Sequence, residues 1–220
     1  MRILVVALLA ALLPACVSDR PSDQPITELS HELWELRQQQ LNQLENWALR
    51  GRIALFVEDK VYNLGMSWQR QQQHSDITLE AALGQGVLQI QQSPDQVLLT
   101  TSEGKQYQGA DAEQVLYETT GWSIPIQGLK HWILGIQHPG SSFAPDIDAL
   151  GRVKSLKQDN WTINYLEYKA NNDVLEVAID LPRRIYMKRY DIALKIVIDQ
   201  WQDEGSAPEQ PDLFPDFSSS

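Results

Sequence analysis

A mainly β fold with some helix (α+β), an antiparallel meander curling into a barrel or half-barrel, is what this sequence predicts. Two observations predict it. Runs of period-two alternation recur from Leu49 to Tyr107 and again from Leu150 to Trp201. Short turn-like stretches separate the earlier runs: Glu58-Asp59-Lys60, glutamines 71–73, Ser93-Pro94-Asp95 and Ser102-Glu103-Gly104-Lys105. Connections this short join antiparallel neighbours, since a parallel crossover needs a dozen residues or more. No internal repeat of the length used by solenoids is apparent.

The chain opens MRILVVALLAALLPACVS. Arg2 is a short positive start, and Ile3 to Leu13 is an apolar run too short for a stable membrane span. Leu13-Pro14-Ala15-Cys16 resembles the bacterial lipoprotein box, in which a peptidase cuts before a diacylated cysteine. Leu13, Ala15 and Cys16 fit, and Pro14 departs from the pattern. The alternative is an ordinary secretory signal with a chance cysteine. Cys16 is the single cysteine of the chain, so it makes no intrachain disulfide. Residues 1–15 are therefore expected to be removed, and Cys16 to carry an S-diacylglycerol and an N-acyl group. More than one chain gives stable anchoring without a span. Val17, where Asp would favour inner-membrane retention in enteric lipoproteins, is compatible with the outer membrane.

Residues 16–26 read as a lipidated start and polar, proline-bearing tether. Residues 203–220 read as a disordered acidic tail rich in proline and serine, with Leu213, Phe214 and Phe217 as the docking alternative. Between them, 27–202 form one domain. The formal net charge is −11, one unit more negative once Arg2 is removed. Such a chain does not attract nucleic acid or an anionic membrane surface.

Thr27 to Trp47 reads as a helix with Leu29, Leu33, Leu36, Leu41, Leu44 and Trp47 on one stripe, capped by Thr27 or Ser30. That stripe is expected to lie on a sheet. Its polar face is Gln and Glu, which argues against a membrane-surface helix. Strands follow around Leu49–Leu55, Tyr62–Trp68, Ile77–Leu79, Leu88–Ile90, Val97–Leu99 and Gln106–Tyr107. Asp111 caps a helix through Thr120. Pro125 opens another, with Leu129, Trp132, Ile133 and Ile136 on one side and Gly135 near its end. Strands resume over Leu150–Leu156, Trp161–Tyr168, Val174–Leu181, Arg184–Arg189 and Ile192–Trp201. Seven tryptophans suit either a packed core or an apolar cavity, and composition leaves both open.

Motifs for catalysis are missing. His31, His74, His131 and His138 have no zinc spacing. Ser67 and Ser123 lack the glycines of a nucleophile elbow. Gly84-x-Gly86 leads into a strand, with Gln89 where a dinucleotide fingerprint needs glycine or alanine. These glycines instead turn a hairpin, and the turn carries apolar Ala82 and Leu83 where polar residues are usual. No carboxylate pair stands out, and Asn160-Trp161-Thr162 is a sequon without meaning behind a lipobox. No enzyme, metal or further cofactor is expected. Arg50, Arg52, Arg183 and Arg184 read as solvated charge, or as a patch for an acidic partner.

WALRGRIALF (47–56), Trp68-Gln69, LGQGVLQI (83–90), DAEQVL (111–116), TGWSIPIQGLKHWILG (120–135), LPRRI (181–185) and IDQW (198–201) together resemble the LolB family, outer-membrane receptors for lipoproteins. The resemblance covers about residues 30–202, and TGWSIPIQGLKHWILG is its most specific part. It implies an open antiparallel β-barrel, a half-barrel, with helices covering the mouth of an apolar cavity. It implies acceptance of lipoproteins from the soluble periplasmic carrier LolA and their insertion into the inner leaflet of the outer membrane, without nucleotide. It implies that Leu83, in Ala82-Leu83-Gly84, engages the membrane. A buried hairpin leucine is the alternative there. The residues expected to line the acyl cavity are Trp68, Leu79, Leu88, Ile90, Leu99, Trp132, Ile133 and Trp161, each with core packing as its alternative. The partners implied are LolA, client lipoproteins and the periplasmic face of the outer membrane, with the protein acting as a monomer. The alternative reading is a lipid-anchored protein that binds another apolar ligand or scaffolds envelope assembly.

Overall fold

Alternation of apolar and polar residues sets most of the architecture, because period two puts one face of each strand in the core. The structure, a computed structural model, describes residues 18–81, 86–170 and 179–202. The signal segment, Cys16, Ala82, Leu83, Gly84, the start of the expected strand at Val174 and the tail 203–220 lie outside these.

After β1 (Ser18–Asp19) and α1 (Glu28–Asn42), six strands follow in series: β2 (Asn46–Val57), β3 (Lys60–Gln71), β4 (His74–Ala81), β5 (Val87–Gln92), β6 (Val97–Thr101) and β7 (Gln106–Gly109). Helices α2 (Ala112–Thr120) and α3 (Ile126–Trp132) precede β8 (Phe143–Ile147), β9 (Val153–Gln158), β10 (Trp161–Lys169), β11 (Leu181–Arg189) and β12 (Ile192–Gln202). The sheet order is β7-β6-β5-β4-β3-β2-β12-β11-β10-β9-β8, every pair antiparallel, with β1 added to β10. β7 and β8 are its two edges, so the sheet is not closed into a barrel. The connection between these edges carries α2 and α3.

Cross-strand rows build the core. Leu49 pairs with Trp68, Trp68 with Ile77, Ile77 with Ile90 and Ile90 with Leu99, and all five are nearly fully buried. Pairs of this kind are the unit of sheet stabilisation.

Helix α1 departs from expectation in two ways. It ends at Asn42, and Trp47 belongs to β2, where its ring lies 5.3 Å from Trp68 and 5.7 Å from Trp201. Its buried residues are Ser30, Trp34, Arg37 and Leu41, whereas Leu29 and Leu36 are 60% and 50% exposed. The helix seats on the turn before β9. Ser30 Oγ donates to the Ala149 carbonyl at 3.2 Å, and a Cβ at Gly151 (φ 69°) would come within 2.5 Å of the Trp34 amide nitrogen. Contact this close requires glycine at 151. At its start, Thr27 and Ser30 form a reciprocal capping box.

Residues 18–23 lie along the domain. Ser18 and Asp19 pair with Lys169 and Tyr168. The Ser22 amide donates to Asp148 Oδ2 at 2.9 Å, and Arg152 Nη2 to the Arg20 carbonyl at 3.1 Å.

Candidate functional site

An apolar pocket lies between one face of the sheet and the segment that carries α2 and α3. Strands β2, β3, β4, β5 and β12 supply Ile53, Leu55, Leu64, Met66, Trp68, Ile77, Leu79, Ile90 and Leu194. Leu116 of α2, Trp122 and Ile124 of the link, and Ile126 and Leu129 of α3 close it. Its void is about 30 Å³, about enough for a single water. An apolar space this small has nothing to hold that water. The void is far smaller than an acyl chain occupies.

The lid is built from readable local signals. Asp111 caps α2, its carboxylate accepting from the Gln114 amide at 2.7 Å. Gly121 ends α2 in the left-handed region, and Pro125 precedes α3. Trp122 leans on Tyr62 of β3, ring centres 5.1 Å apart.

A single guanidinium ties the lid to the sheet. Arg189, at the end of β11, donates to Glu113 Oε1 at 2.9 Å, to the Ser123 carbonyl at 2.8 Å and to Ser123 Oγ at 2.6 Å. Ser123 Oγ in turn donates to Glu113 Oε1 at 2.6 Å. Arg189 also sits 4.9 Å above the Trp161 ring. Nothing in the sequence pattern marked this group, because its members lie far apart in the chain.

Of the residues expected to line a cavity, Trp68, Leu79 and Ile90 meet at this pocket. Leu99 is buried beside Ile90, and Leu88 is partly buried opposite Leu79. Trp132, Ile133 and Trp161 are buried but do not line the pocket. Their part of the core is held by polar bonds. Gln158 Oε1 accepts from Trp132 Nε1 and from the His138 amide, each at 2.8 Å. Gln158 Nε2 donates to the His138 carbonyl at 2.7 Å and to Ser141 Oγ at 2.9 Å. Tyr165 donates to the Trp132 carbonyl at 2.8 Å. Burial in this region drives the His131 imidazole down to about 4, with Lys130, His138 and Arg70 adding to the effect.

Ala82, Leu83 and Gly84 fall in the connection between β4 and β5, outside the described residues. The Ala81 amide donates to the Gly86 carbonyl at 2.8 Å and closes that connection. Gly86 has φ 150° with open space around it, so backbone conformation alone selects glycine there.

The pocket lining contains no ionisable side chain. No group of His, Cys, Asp or Glu among the described residues could hold a metal. No described helix is long and apolar enough to cross a membrane.

A family model described as outer membrane lipoprotein LolB matches residues 45–201. An outer-membrane lipoprotein LolB from Nitrosococcus oceani is 30% identical over 205 residues, which cover 91% of this chain and 97% of the relative. One from Marinobacter nauticus is 30% identical over 207 residues, covering 92% and 98%. Among solved structures, a DUF1329 family protein from Desulfovibrio piger matches with a TM-score of 0.52 at 7% identity, covering 84% of this chain and 95% of that one, a likeness of fold alone.

Proposed function

Because the chain belongs to the LolB family of outer-membrane lipoproteins, we propose that it accepts lipoproteins by their acyl chains and inserts them into the inner leaflet of the outer membrane. The donor is a soluble periplasmic carrier of the LolA type, and no nucleotide or catalysis is involved. The protein is itself held on the periplasmic face of that membrane by acyl groups on Cys16.

The observation that carries this reading is the wholly apolar pocket between the sheet and the segment that carries α2 and α3. Exposing acyl chains to water costs about 0.8 kcal/mol per methylene, so a client must pass between sheltered sites. Ligand pockets typically measure about 300–1,000 Å³, about tenfold or more above the void present with the lid closed. Acceptance therefore needs α2, α3 and their link to lift from the sheet. Opening would expose Trp68, Leu79, Ile90, Leu116 and Trp122 to the incoming chains. Trp68 also offers a buried indole N–H without a hydrogen-bond partner among the described residues, suited to an ester carbonyl. Transfer without nucleotide requires only that this site bind better than the donor's, and about 1.4 kcal/mol gives a tenfold bias. Leu83, on the β4–β5 connection, is the residue proposed to engage the bilayer during release.

Depletion tests the reading. Lipoproteins should accumulate on the carrier in the periplasm when the protein is removed. Normal sorting to the outer membrane under depletion would refute it.

A further inference from the structure

We propose that the outer face of α1 rests on the phospholipid surface of the membrane, where Arg37 takes the phosphate of a zwitterionic headgroup. This rests on the lipidation of Cys16 proposed above.

The first observation is an apolar surface that the fold leaves uncovered. Leu29 and Leu36 of α1, Ile26 before it and Leu150 beside it are 60%, 50%, 46% and 53% exposed. Single exposed leucines need no explanation, but a contiguous set marks a contact.

The second is where the anchor leaves the fold. β1 pairs Asp19 with Tyr168, and the Tyr168 ring lies under Arg37, 5.5 Å from the guanidinium carbon. Cys16 precedes Ser18 by two residues, a reach of about 7 Å at full extension. Acyl groups on Cys16 therefore hold this side of the domain to the bilayer.

The third is the chemistry beneath the helix. A pocket of about 230 Å³ has Leu33, Leu36, Leu150 and Ile179 on its apolar side and Arg37 and Asp180 on its polar side. Arg37 is 8% exposed, and its Nε and Nη2 have no hydrogen-bond partner among the described residues. These two donors form one edge of the guanidinium, the edge that fits a carboxylate or phosphate in bidentate fashion. A buried guanidinium whose donors lack acceptors is costly, and Arg37 lines this pocket. Asp180, its side chain 38% exposed, meets Arg152 at 3.3 Å and lines the same pocket. An anionic phosphate and a cationic ammonium are the two ends of a zwitterionic headgroup.

Charge selects against other surfaces. The net charge of −11 and the Glu-rich polar face of α1 repel anionic lipid. The anchor raises the local concentration of the face at the bilayer, so a weak contact suffices.

The test uses the lipidated full chain in vesicles of phosphatidylethanolamine and phosphatidylcholine. An environment-sensitive dye is placed at Glu32→Cys, on the exposed side of α1, with a control at Tyr190→Cys, which is 77% exposed. The dye at 32 should shift to the blue and be quenched from the lipid phase, while the dye at 190 stays water-like. Leu29→Glu, a surface change that leaves the fold intact, should lower the docked-to-undocked ratio about tenfold or more. Arg37→Lys, or vesicles of phosphate-free galactolipid, should do the same, and millimolar inorganic phosphate should not compete. A dye at 32 that stays in water on anchored protein overturns the proposal while leaving the lipidation reading intact. Equal docking to galactolipid, or competition by inorganic phosphate, overturns the headgroup assignment. Failure of Cys16 to take up palmitate in cells refutes the anchoring reading instead.

Discussion

Replacing Arg189 by Met removes the guanidinium that ties the lid to β11 and keeps its apolar stem over Trp161. Three hydrogen bonds are lost, to Glu113 and twice to Ser123. A hydrogen bond to a charged group is worth about 1.5–3 kcal/mol net. The Arg189 and Glu113 side chains are 17% and 32% exposed, so the lower part of that range applies to the pair. The Ser123 groups can turn to water once the lid lifts, and they add little. About 2 kcal/mol is the result, a roughly 30-fold shift toward the open lid. Hydrogen exchange of the α2 amides reads this directly and should accelerate by about that factor, with β2 and β12 unchanged. Affinity for a fluorescent fatty-acyl probe should rise by up to the same factor, because apparent affinity scales with the competent fraction. Glu113→Gln, which keeps an acceptor but loses the charge, should give a smaller effect. Acceleration that spreads equally into β2 and β12 would mean that Arg189 supports the whole fold and does not gate the pocket. Faster exchange in α2 without a gain in probe affinity would mean that the lid does not control access.

Leu83→Glu should still accept a client from the carrier but fail to pass it to vesicles; normal delivery by this variant in a reconstituted transfer assay removes Leu83 from the mechanism. Folding holds the His131 imidazole at about 4 against 6.5, so the unfolded chain takes the proton first. Stability should then fall as pH drops from about 6.5 toward about 4, by about 1–3 kcal/mol. His131→Gln should flatten that slope relative to the parent in urea unfolding at pH 4.5–7, and an unchanged slope disproves the assignment. Gln158→Leu leaves the buried Trp132 indole N–H and the part-buried His138 amide without that acceptor, which should cost about 1–3 kcal/mol; a denaturation midpoint equal to that of the parent shows that the amide is dispensable.

Much of the sheet was legible because alternation reports which face is buried. β2 and β3 pair without a break from Val57 with Lys60 to Asn46 with Gln71, as two alternating runs around a short turn imply. The cap at Asp111 placed α2 to the residue, and Pro125 marked the start of α3, which ends at Trp132, short of the expected Gly135. β8 was invisible for a physical reason. It is an edge strand with Pro145 inside it, and four of its five residues are exposed, so no buried face imposes a period. The strand expected from Leu150 starts at Val153, because Asp148 accepts from the Leu150 and Arg152 amides and folds 148–152 into a turn. Burial on its own would raise the Asp148 carboxyl. The Ser22 and Arg152 amides and the Arg152 guanidinium outweigh it and hold the group below its ordinary value. At the pocket, alternation found the sheet half, Trp68, Leu79 and Ile90. The clamp of Arg189, Glu113 and Ser123 spans 66 to 76 residues of sequence and has no local signature.

Helix α1 shows how a correct element can carry a wrong face, and why the error points to function. Its apolar positions Leu29, Leu33 and Leu36 and its buried positions Ser30, Trp34, Arg37 and Leu41 are stripes one residue, about 100°, apart. Hydrophobic periodicity selects the leucines, since it counts Ser and Arg as polar. It cannot know that Ser30 completes a cap and bonds the Ala149 carbonyl, or that Arg37 lies over the Tyr168 ring. Burying a leucine is worth about 1.5–3 kcal/mol. A fold that turns Leu29 and Leu36 outward and an arginine inward forgoes that gain within the isolated domain. The same gain returns if the outward face meets an apolar phase and the arginine an anion. A bilayer offers both within a few ångströms of each other, and β1 places the start of the domain, which follows the proposed anchor, on this side.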